Sequence, residues 1–238
     1  MVLSSEQKSK ITSIVNCFET GSKAGDYGLV SIYRDKKNPF TQGEYQYQVT
    51  YGRSQTTEQS NLRYLLELYV SKEGLYATEI KGALSTINRT NFKYPTCTQW
   101  AKSEIIIGLL KECGKDPIMQ VCQDEFFDQI YYKPATDWAK ENGFTLPLSM
   151  LVIYDSFIHS GKIRDKIRNT FKEVPPAKGG DEKKWITHYI RARHKWLSTH
   201  RLVDLRRTVY RTNCFAAQIN KGNWNLTDAL IANGVLVK

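Results

Sequence analysis

The feature that most constrains the fold is a nearly uninterrupted apolar run at residues 146–159, with the sequence LPLSMLVIYDSFIH. A helix that spans a membrane needs about 20 apolar residues, so this run predicts instead a helix buried at the centre of a globular domain. The other segments must then pack around it. Asp155 lies inside the run, and a buried carboxylate requires a cationic partner from elsewhere in the chain.

The flanking segments predict a mainly α fold of the α+β type, with one small sheet near the start of the chain. Ser4 or Ser5 can cap a helix over 5–20, whose end is marked by Gly21. Alternating residues predict two strands of a hairpin or meander, at 28–34 and 44–51. From residue 60 onward the apolar period is helical. Helices are predicted near 62–69 and over 98–113, 117–131, 182–199 and 201–220.

The net charge of +10 is unevenly distributed, since residues 181–238 carry eleven Lys and Arg against four Asp and Glu. A basic field attracts polyanions. Nucleic acid, an anionic membrane surface and the acidic bacterial cell wall all fit this charge. The N-terminus has no apolar run of signal-peptide length, so we expect synthesis in the cytoplasm, either as this chain or as a domain of a longer protein.

Metal and cofactor sites are not indicated. The five cysteines have no metal-ligand spacing, and their odd number favours free structural thiols. His188, His194 and His200 recur every six residues, whereas two ligands on one helix face would be four apart. Glycine-rich phosphate loops and nucleophile motifs are also missing, so we expect no cofactor.

Glu19 is the first candidate for catalysis. It ends the predicted helix 5–20 directly after Phe18, and an apolar neighbour raises the pKa of a carboxyl group. A helix C-terminus disfavours an anion, so an ordinary exposed carboxylate is not expected there. Glycosidic bond cleavage uses a pair of carboxylates, one of which donates a proton to the leaving oxygen. Glu19 followed by a β-hairpin is compatible with that chemistry.

Further motifs follow Glu19 in a fixed order. They are QVTYGRSQTTE at 48–58, DEFFD at 124–128 with YKPA at 132–135, LVIYDSFIHS at 151–160, and GDE, AR and GNWNL at 180–182, 192–193 and 222–226. This series resembles the family 46 chitosanases and their lysozyme-like relatives, including phage-type lysozymes. The resemblance implies a lysozyme-like α+β fold in a single catalytic domain over 1–238. It also implies a small β-containing lobe at about 20–60, a helical lobe at about 60–238 and a cleft between them, with Glu19 as the general acid.

The second carboxylate stays open at this point. In phage-type lysozymes the hairpin acid stands six residues before a Thr that positions water, which matches Thr50 and Glu44. The chitosanase spacing of five falls on Tyr45, and Asp35 stands 16 residues after Glu19, close to that family's acid-to-base spacing. Glu44 is therefore the first candidate, followed by Asp35, with Glu58 or a mechanism without a base as further alternatives. The relatives imply inversion in a single displacement.

Supporting residues are predicted on both sides of this pair. Alternation after Thr50 places side chains on one face that could line a sugar-binding surface, namely those of Tyr51, Arg53, Gln55 and Thr56. The resemblance further implies that Asp155 binds two arginines, Arg193 and Arg207, in a buried network that steadies the acid. Arg206 or Arg211 can replace Arg207. His159 on the same helix is predicted as a hydrogen-bonded core residue rather than an active-site wall residue.

Charge then suggests the substrate. Chitosan is a polycation, whereas peptidoglycan carries carboxylates that a basic surface attracts. We therefore predict a muramidase, an antibacterial toxin or phage lysin delivered to a bacterial periplasm, with an immunity protein as a partner in the toxin case. The alternative is a chitosanase. An alternative of another class, a helical nucleic-acid-binding protein using residues 183–211, explains the charge but not Glu19 or the hairpin. We expect neither nucleic-acid binding nor membrane insertion.

Overall fold

The computed structural model describes residues 3–37, 45–53, 55–87 and 96–238. The chain divides into two compact units, each described by itself below. The first unit comprises Met1–Ala24 and Asp128–Lys238, and the second comprises Gly25–Phe127. The second unit therefore contains several helices in addition to the sheet. The predicted lobe boundary near residue 60 falls inside it, because the helices that follow the sheet pack with the sheet.

The first unit contains most of the helices and a small C-terminal hairpin. Its elements are α1 (Ser5–Thr20), a π-helical turn (Asp128–Tyr132), α7 (Lys133–Glu141), α8 (Pro147–Ser160), α9 (Asp165–Arg168), a 3-10 turn (Pro176–Lys178), α10 (Glu182–Ser198), α11 (Val203–Arg206), α12 (Val209–Asn220), β4 (Leu230–Ala232) and β5 (Val235–Val237). The strands β4 and β5 are antiparallel.

The helix α8 is the centre of the first unit, as the apolar run predicts. Every residue from Pro147 to Phe157 is buried, and the helix ends at Gly161, whose φ of 77° lies in the left-handed region. The amphipathic helices α1, α10 and α12 pack around it. The capping box of α1 joins Ser4 and Gln7 reciprocally, so this helix begins and ends where the sequence predicts.

The described residues of the second unit form a three-stranded antiparallel sheet and five helices. Its elements are β1 (Val30–Lys37), β2 (Tyr45–Tyr51), β3 (Thr56–Thr57), α2 (Leu62–Ser71), α3 (Ala77–Ala83), α4 (Thr96–Lys102), α5 (Glu104–Cys113) and α6 (Pro117–Phe127). The strand order is β1-β2-β3, with Thr50 opposite Ser31 on one side and Thr57 on the other.

Two predicted helices are broken in the structure. The segment 98–113 forms α4 and α5, because the Ser103 hydroxyl accepts a hydrogen bond from the backbone N–H of Ile106 and starts a new helix. The segment 201–220 forms α11 and α12, with the break at Arg207 and Thr208. Within the described residues no helix is both long and apolar enough to cross a membrane.

Candidate active site

The Glu19 side chain lies at the last turn of α1 in a largely buried position, with 13% of its surface exposed. Its Oε1 accepts a hydrogen bond of 2.8 Å from the Arg211 guanidinium. The neighbouring carbonyl of Phe18 accepts from the same guanidinium at 3.2 Å and from the Tyr210 hydroxyl at 2.7 Å. The C-terminal end of α1 is therefore covered by donors and a cation, which offset its negative dipole.

Arg211 connects Glu19 to the buried carboxylate of α8. Its second terminal nitrogen donates to Asp155 Oδ1 at 2.7 Å, and Arg193 from α10 lies 2.6 Å from the other Asp155 oxygen. All three of these side chains are at most 3% exposed. The cluster thus contains two guanidinium groups and two carboxyl groups in one buried region. Asp155 has the cationic partners that its place in the apolar run requires.

The two carboxyl groups of this cluster are shifted in opposite directions. Burial raises the pKa of Glu19 above its ordinary value and outweighs the lowering caused by Arg211. Burial also disfavours the ionised form of Asp155, but Arg193 and Arg211 together hold the pKa of Asp155 below its ordinary value. The two arginines therefore favour the ionised form of Asp155, whereas Glu19 retains its proton to a higher pH than an exposed glutamate.

His159 extends the cluster along α8. Burial, reinforced by the charges of Arg211 and Arg193, lowers the pKa of His159 to about 3. The imidazole is therefore neutral at ordinary pH. Its Nδ1 is 3.4 Å from the Ser160 hydroxyl.

The predicted contact of Arg207 with Asp155 is wrong. Arg207 follows α11 with 78% of its side chain exposed, and its nearest carboxylate is Asp204 at 3.7 Å. Arg206 is also at the surface, where it donates to the backbone carbonyl of His200. Arg211, the remaining alternative, lies in the first turn of α12 with its side chain directed inward. The break between α11 and α12 causes the difference, because it changes which arginine faces the core.

Thr50, the predicted water-positioning residue, belongs to the second unit. It lies on β2, nearly buried, and its hydroxyl is 2.7 Å from Gln55 Oε1 and 3.2 Å from the Ser31 carbonyl oxygen. The Gln55 amide donates in turn to the carbonyls of Leu29 and Gly52. Thr50 and Gln55 therefore form one hydrogen-bonded pair, so the structure brings these two predicted site residues together.

The other three predicted sugar-binding residues, Tyr51, Arg53 and Thr56, are all buried. Tyr51 is fully buried. Thr56 is buried as well. The Arg53 guanidinium is buried 3.0 Å from Asp124, with its centre 4.9 Å from the Phe127 ring. The prediction that these side chains line a sugar-binding face is corrected accordingly, because all three are buried.

The candidates for the second carboxylate are placed unequally. Glu44, the first candidate, lies outside the described residues, and Asp35 lies on β1 with its side chain outside the description. Glu58 is only 1% exposed, and its Oε2 accepts a hydrogen bond of 3.1 Å from the backbone N–H of Val49. Glu58 thereby has a structural contact within the second unit, and the alternatives that stay open are Glu44, Asp35 and a mechanism without a base.

Tyr210 is the participant that the sequence analysis missed. Its hydroxyl holds the Phe18 carbonyl beside Glu19, and its ring stacks obliquely on Phe18 at 5.9 Å between centroids. The only sequence signal for it is its position next to Arg211.

Among the described residues no cluster of His, Cys, Asp and Glu is arranged to hold a metal ion, and the four described cysteines are buried thiols.

Comparison with known proteins identifies the family. Residues 106–230, more than half of the chain, match the family described as "Glycosyl hydrolase family 46". The chain belongs to this family. The family 46 resemblance is thus confirmed, and so is the prediction of a glycoside hydrolase.

Two relatives, both chitosanases, align with different shares of this chain. A chitosanase of Bacillus subtilis (strain 168) is 25% identical over 237 residues, which span 94% of this chain and 80% of the relative. A chitosanase of Streptomyces sp. (strain N174) is 26% identical over 136 residues, spanning 54% of this chain and 45% of the relative.

Solved structures support the same fold. The native chitosanase from Bacillus subtilis MY002 superposes with a TM-score of 0.76 at 20% identity, with both chains covered completely. The Gynuella sunshinyii family 46 chitosanase in complex with chitotetraose gives a TM-score of 0.75 at 18% identity, with 99% of this chain and 98% of that chain covered. The predicted lysozyme-like α+β fold is confirmed by this agreement.

Proposed function

We propose that this glycoside hydrolase is a chitosanase, which hydrolyses β-1,4 bonds between glucosamine units with Glu19 as the general acid. The observation that carries the chemistry is the largely buried Glu19 carboxyl with a raised pKa, hydrogen-bonded to Arg211. The choice of chitosan is supported by the Bacillus and Streptomyces relatives, both of which are chitosanases, and by the Gynuella neighbour that binds chitotetraose.

The Arg211 contact suits both halves of a proton-transfer step. Burial raises the pKa of Glu19 and so favours the protonated form, which can donate its proton to the glycosidic oxygen. Once the proton has left, the new carboxylate is 2.8 Å from a guanidinium whose position is fixed by Asp155. The negative charge then forms where a cation is already oriented, and no side chain has to move to stabilise it.

The base in this proposal is Glu44 or Asp35, acting on a water molecule held by Thr50. The expected reaction is a single displacement with inversion, as the resemblance implies. Glu44→Gln and Asp35→Asn variants, assayed side by side on chitosan, identify the base. Loss of a general base lowers the rate by about 100-fold or more, and the variant without that loss excludes its residue.

Charge alone does not make peptidoglycan the better substrate. The first unit carries 22 Lys and Arg against 12 Asp and Glu, whereas the second carries 12 of each. Two of the C-terminal cations, Arg193 and Arg211, are buried and paired with carboxylates. Others, including Arg191 and Lys195, line a pocket that contains no member of the Glu19 cluster. A count over the whole C-terminal quarter therefore overstates the positive charge near Glu19.

The muramidase interpretation consequently has less support than the chitosanase alternative. The relatives described above are chitosanases rather than lysozymes, so they give no support to the antibacterial toxin, the immunity protein or delivery to a periplasm, all of which depended on peptidoglycan as substrate. The nucleic-acid-binding alternative loses two of its cations to the buried cluster, and it does not account for membership of a hydrolase family.

The decisive experiment compares two polymers. Wild-type protein is incubated with fully deacetylated chitosan, where release of reducing ends is measured, and with purified sacculi, where loss of turbidity is measured. We expect cleavage of chitosan alone, abolished in Glu19→Gln and unchanged in Glu6→Gln, a matched exposed carboxyl on the same helix. Clearing of sacculi without release of sugar from chitosan would establish a muramidase instead.

A further inference from the structure

A pocket of about 660 Å³ lies in the first unit, between one face of α10 and the segment 166–173. Its volume is within the range of about 300–1,000 Å³ that is usual for small-molecule sites. On α10 it is lined by residues spaced at helical intervals, which are His188, Arg191, Ala192, Lys195, Trp196 and Thr199. The opposite face of the same helix is buried and includes Arg193 of the Glu19 cluster. The pocket and the cluster therefore share no residue.

The floor of the pocket is apolar and its rim is cationic. Ile167, Phe171, Ala192 and the half-buried Trp196 provide the apolar surface. Four exposed cations surround it, and a single carboxylate, that of Glu173, lines it with them. The four cations are Lys166, Lys172, Arg191 and Lys195. Glu173 already accepts a hydrogen bond of 2.8 Å from the backbone N–H of Asp181, so it offsets only part of this charge.

Trp196 is the aromatic group with the strongest cationic surroundings. The Lys166 ammonium lies 4.5 Å from the centre of its ring, and the Arg164 guanidinium 5.5 Å. Trp196 packs against the hydrophobic core but is only half-buried, whereas Trp185 and Tyr189 of α10 are buried, so part of the Trp196 indole is left to line the pocket. Nδ1 of His188 is buried and has no hydrogen-bond partner within the described part of the chain, which leaves a polar group available in the same wall.

The loop wall opposite α10 is held in place before any ligand arrives. Arg168 donates to the carbonyls of Phe171 at 3.0 Å and Glu173 at 2.7 Å, and its guanidinium covers the Phe171 ring at 4.5 Å. The Phe171 ring in turn packs edge-on against His188 at 5.9 Å between centroids. A preorganised wall lowers the entropic cost of binding.

We propose that this pocket, lined by α10 and residues 166–173, binds an organic anion that has an aromatic or other apolar body. The apolar floor contacts the body of the ligand, and the rim cations contact its sulfonate, carboxylate or phosphate group. This ligand class is opposite in charge to chitosan, so the pocket is a second site and not a further part of the glycan site.

The test uses isothermal titration calorimetry with naphthalene-1-sulfonate at 0.15 M salt. We expect saturable binding with a Kd of about 1 mM or tighter, given the size of this probe. Sodium sulfate supplies the charge without the ring, and 1-naphthalenemethanol supplies the ring without the charge. Both are expected to bind at least about tenfold more weakly, because each loses one of the two contributions.

Matched variants locate the site. Arg191→Gln/Lys195→Gln removes two exposed cations from the rim, and its affinity for naphthalene-1-sulfonate is expected to fall at least about fivefold. Lys178→Gln/Lys184→Gln removes the same charge at exposed positions outside the pocket and is expected to change affinity less than about twofold, since salt screens distant charges. Equal losses in both variants, or sulfate binding as tightly as the naphthalene compound, would overturn the proposal. Thermal unfolding midpoints within about 2 °C of wild type verify that both variants are folded.

Discussion

The bridge made by Arg211 gives a prediction with two measurable parts. Arg211 is 3% exposed and joins Glu19 to Asp155 through contacts of 2.8 and 2.7 Å. Arg211→Met removes the cation while keeping an apolar side chain in the buried space. Asp155 retains its contact with Arg193 at 2.6 Å, but Glu19 loses the cation that favours its ionised form.

The pKa of Glu19 should therefore rise further in Arg211→Met. A hydrogen bond to a charged partner contributes about 1.5–3 kcal/mol, and 1.36 kcal/mol corresponds to one pKa unit. The expected rise is thus about one to two units. Because Glu19 must be protonated to act as the acid, the alkaline limb of the pH–rate profile should move to higher pH by the same amount, although the maximal rate falls.

Arg211→Met should also be less stable than wild type, and this loss is measured separately from the pH–rate profile. Removing one partner from a buried ion pair costs about 3–5 kcal/mol, which corresponds to a fall in Tm of roughly 10 °C for a protein of this size. Thermal unfolding is measured beside chitosan hydrolysis between pH 4 and pH 9. Arg211→Lys retains a cation and should lose less stability, so it provides a folded variant if Arg211→Met does not fold.

Arg207→Met is the matched control. Arg207 is 78% exposed, so the same substitution four residues earlier should leave both the limb and Tm unchanged. If the alkaline limb of Arg211→Met stays in place, or moves to lower pH, then Glu19 is not the group whose proton limits the reaction. The proposed acid would then be refuted even if the variant were unstable.

Three further predictions concern single sites. Glu19→Gln should hydrolyse chitosan at least about 100-fold more slowly than wild type. Its free energy of unfolding at pH 7 should equal that of wild type or exceed it by up to about 1 kcal/mol, because the raised pKa of Glu19 means that the ionised carboxyl group destabilises the fold. His159→Gln should reduce the loss of stability on acidification, measured by urea unfolding at pH 7 and pH 4.5. With a folded pKa of about 3 against 6.5 unfolded, His159 contributes stability that is present above pH 6.5 and falls by up to about 4 kcal/mol as the pH drops toward 3; an unchanged difference would contradict this linkage. Gly52→Ala should lower the free energy of unfolding by roughly 2–4 kcal/mol, measured by chemical denaturation. Gly52 has a φ of 78°, and a Cβ there would lie 2.3 Å from the Gln123 Oε1 atom. A smaller effect would mean that the Gln123 side chain can rotate away.

The sequence contains enough information to locate Glu19, the proposed acid, and the buried carboxylate Asp155. Ser4 and Gly21 define α1 and place Glu19 at its end, and the apolar run defines α8 and forces Asp155 to find a cation. These inferences depend on local signals, namely caps and apolar periodicity. They are also the signals least affected by tertiary packing.

The remaining differences arise where tertiary structure decides. The choice between Arg207 and Arg211 depends on where α11 ends, and a shift of one or two residues changes which side chain faces the core. Alternation after Thr50 predicts a face that lines a sugar-binding surface, but Gln48 and Thr50 are buried as well as Val49 and Tyr51, so these four residues of β2 leave neither face exposed.

The C-terminal hairpin is a different case. The sequence Ala232-Asn-Gly-Val235 contains the Asn-Gly pair that is typical of a two-residue turn, and both residues have positive φ. The sequence therefore contains a local signal for this hairpin, which the prediction of a single sheet near the start of the chain left out. The net charge misled for another reason, since a count along the sequence does not distinguish surface cations from internal ones such as Arg193.

The ionic connection between α1 and α12 also has a consequence in time. Glu19 is made early in translation, whereas the guanidinium and the hydroxyl that complete its surroundings arrive more than 190 residues later. A nascent chain, or a fragment cut before α12, would hold a glutamate with none of these partners. Under the proposed function, activity then requires nearly the full length of the polypeptide, and a partially synthesised chain is expected to leave chitosan intact.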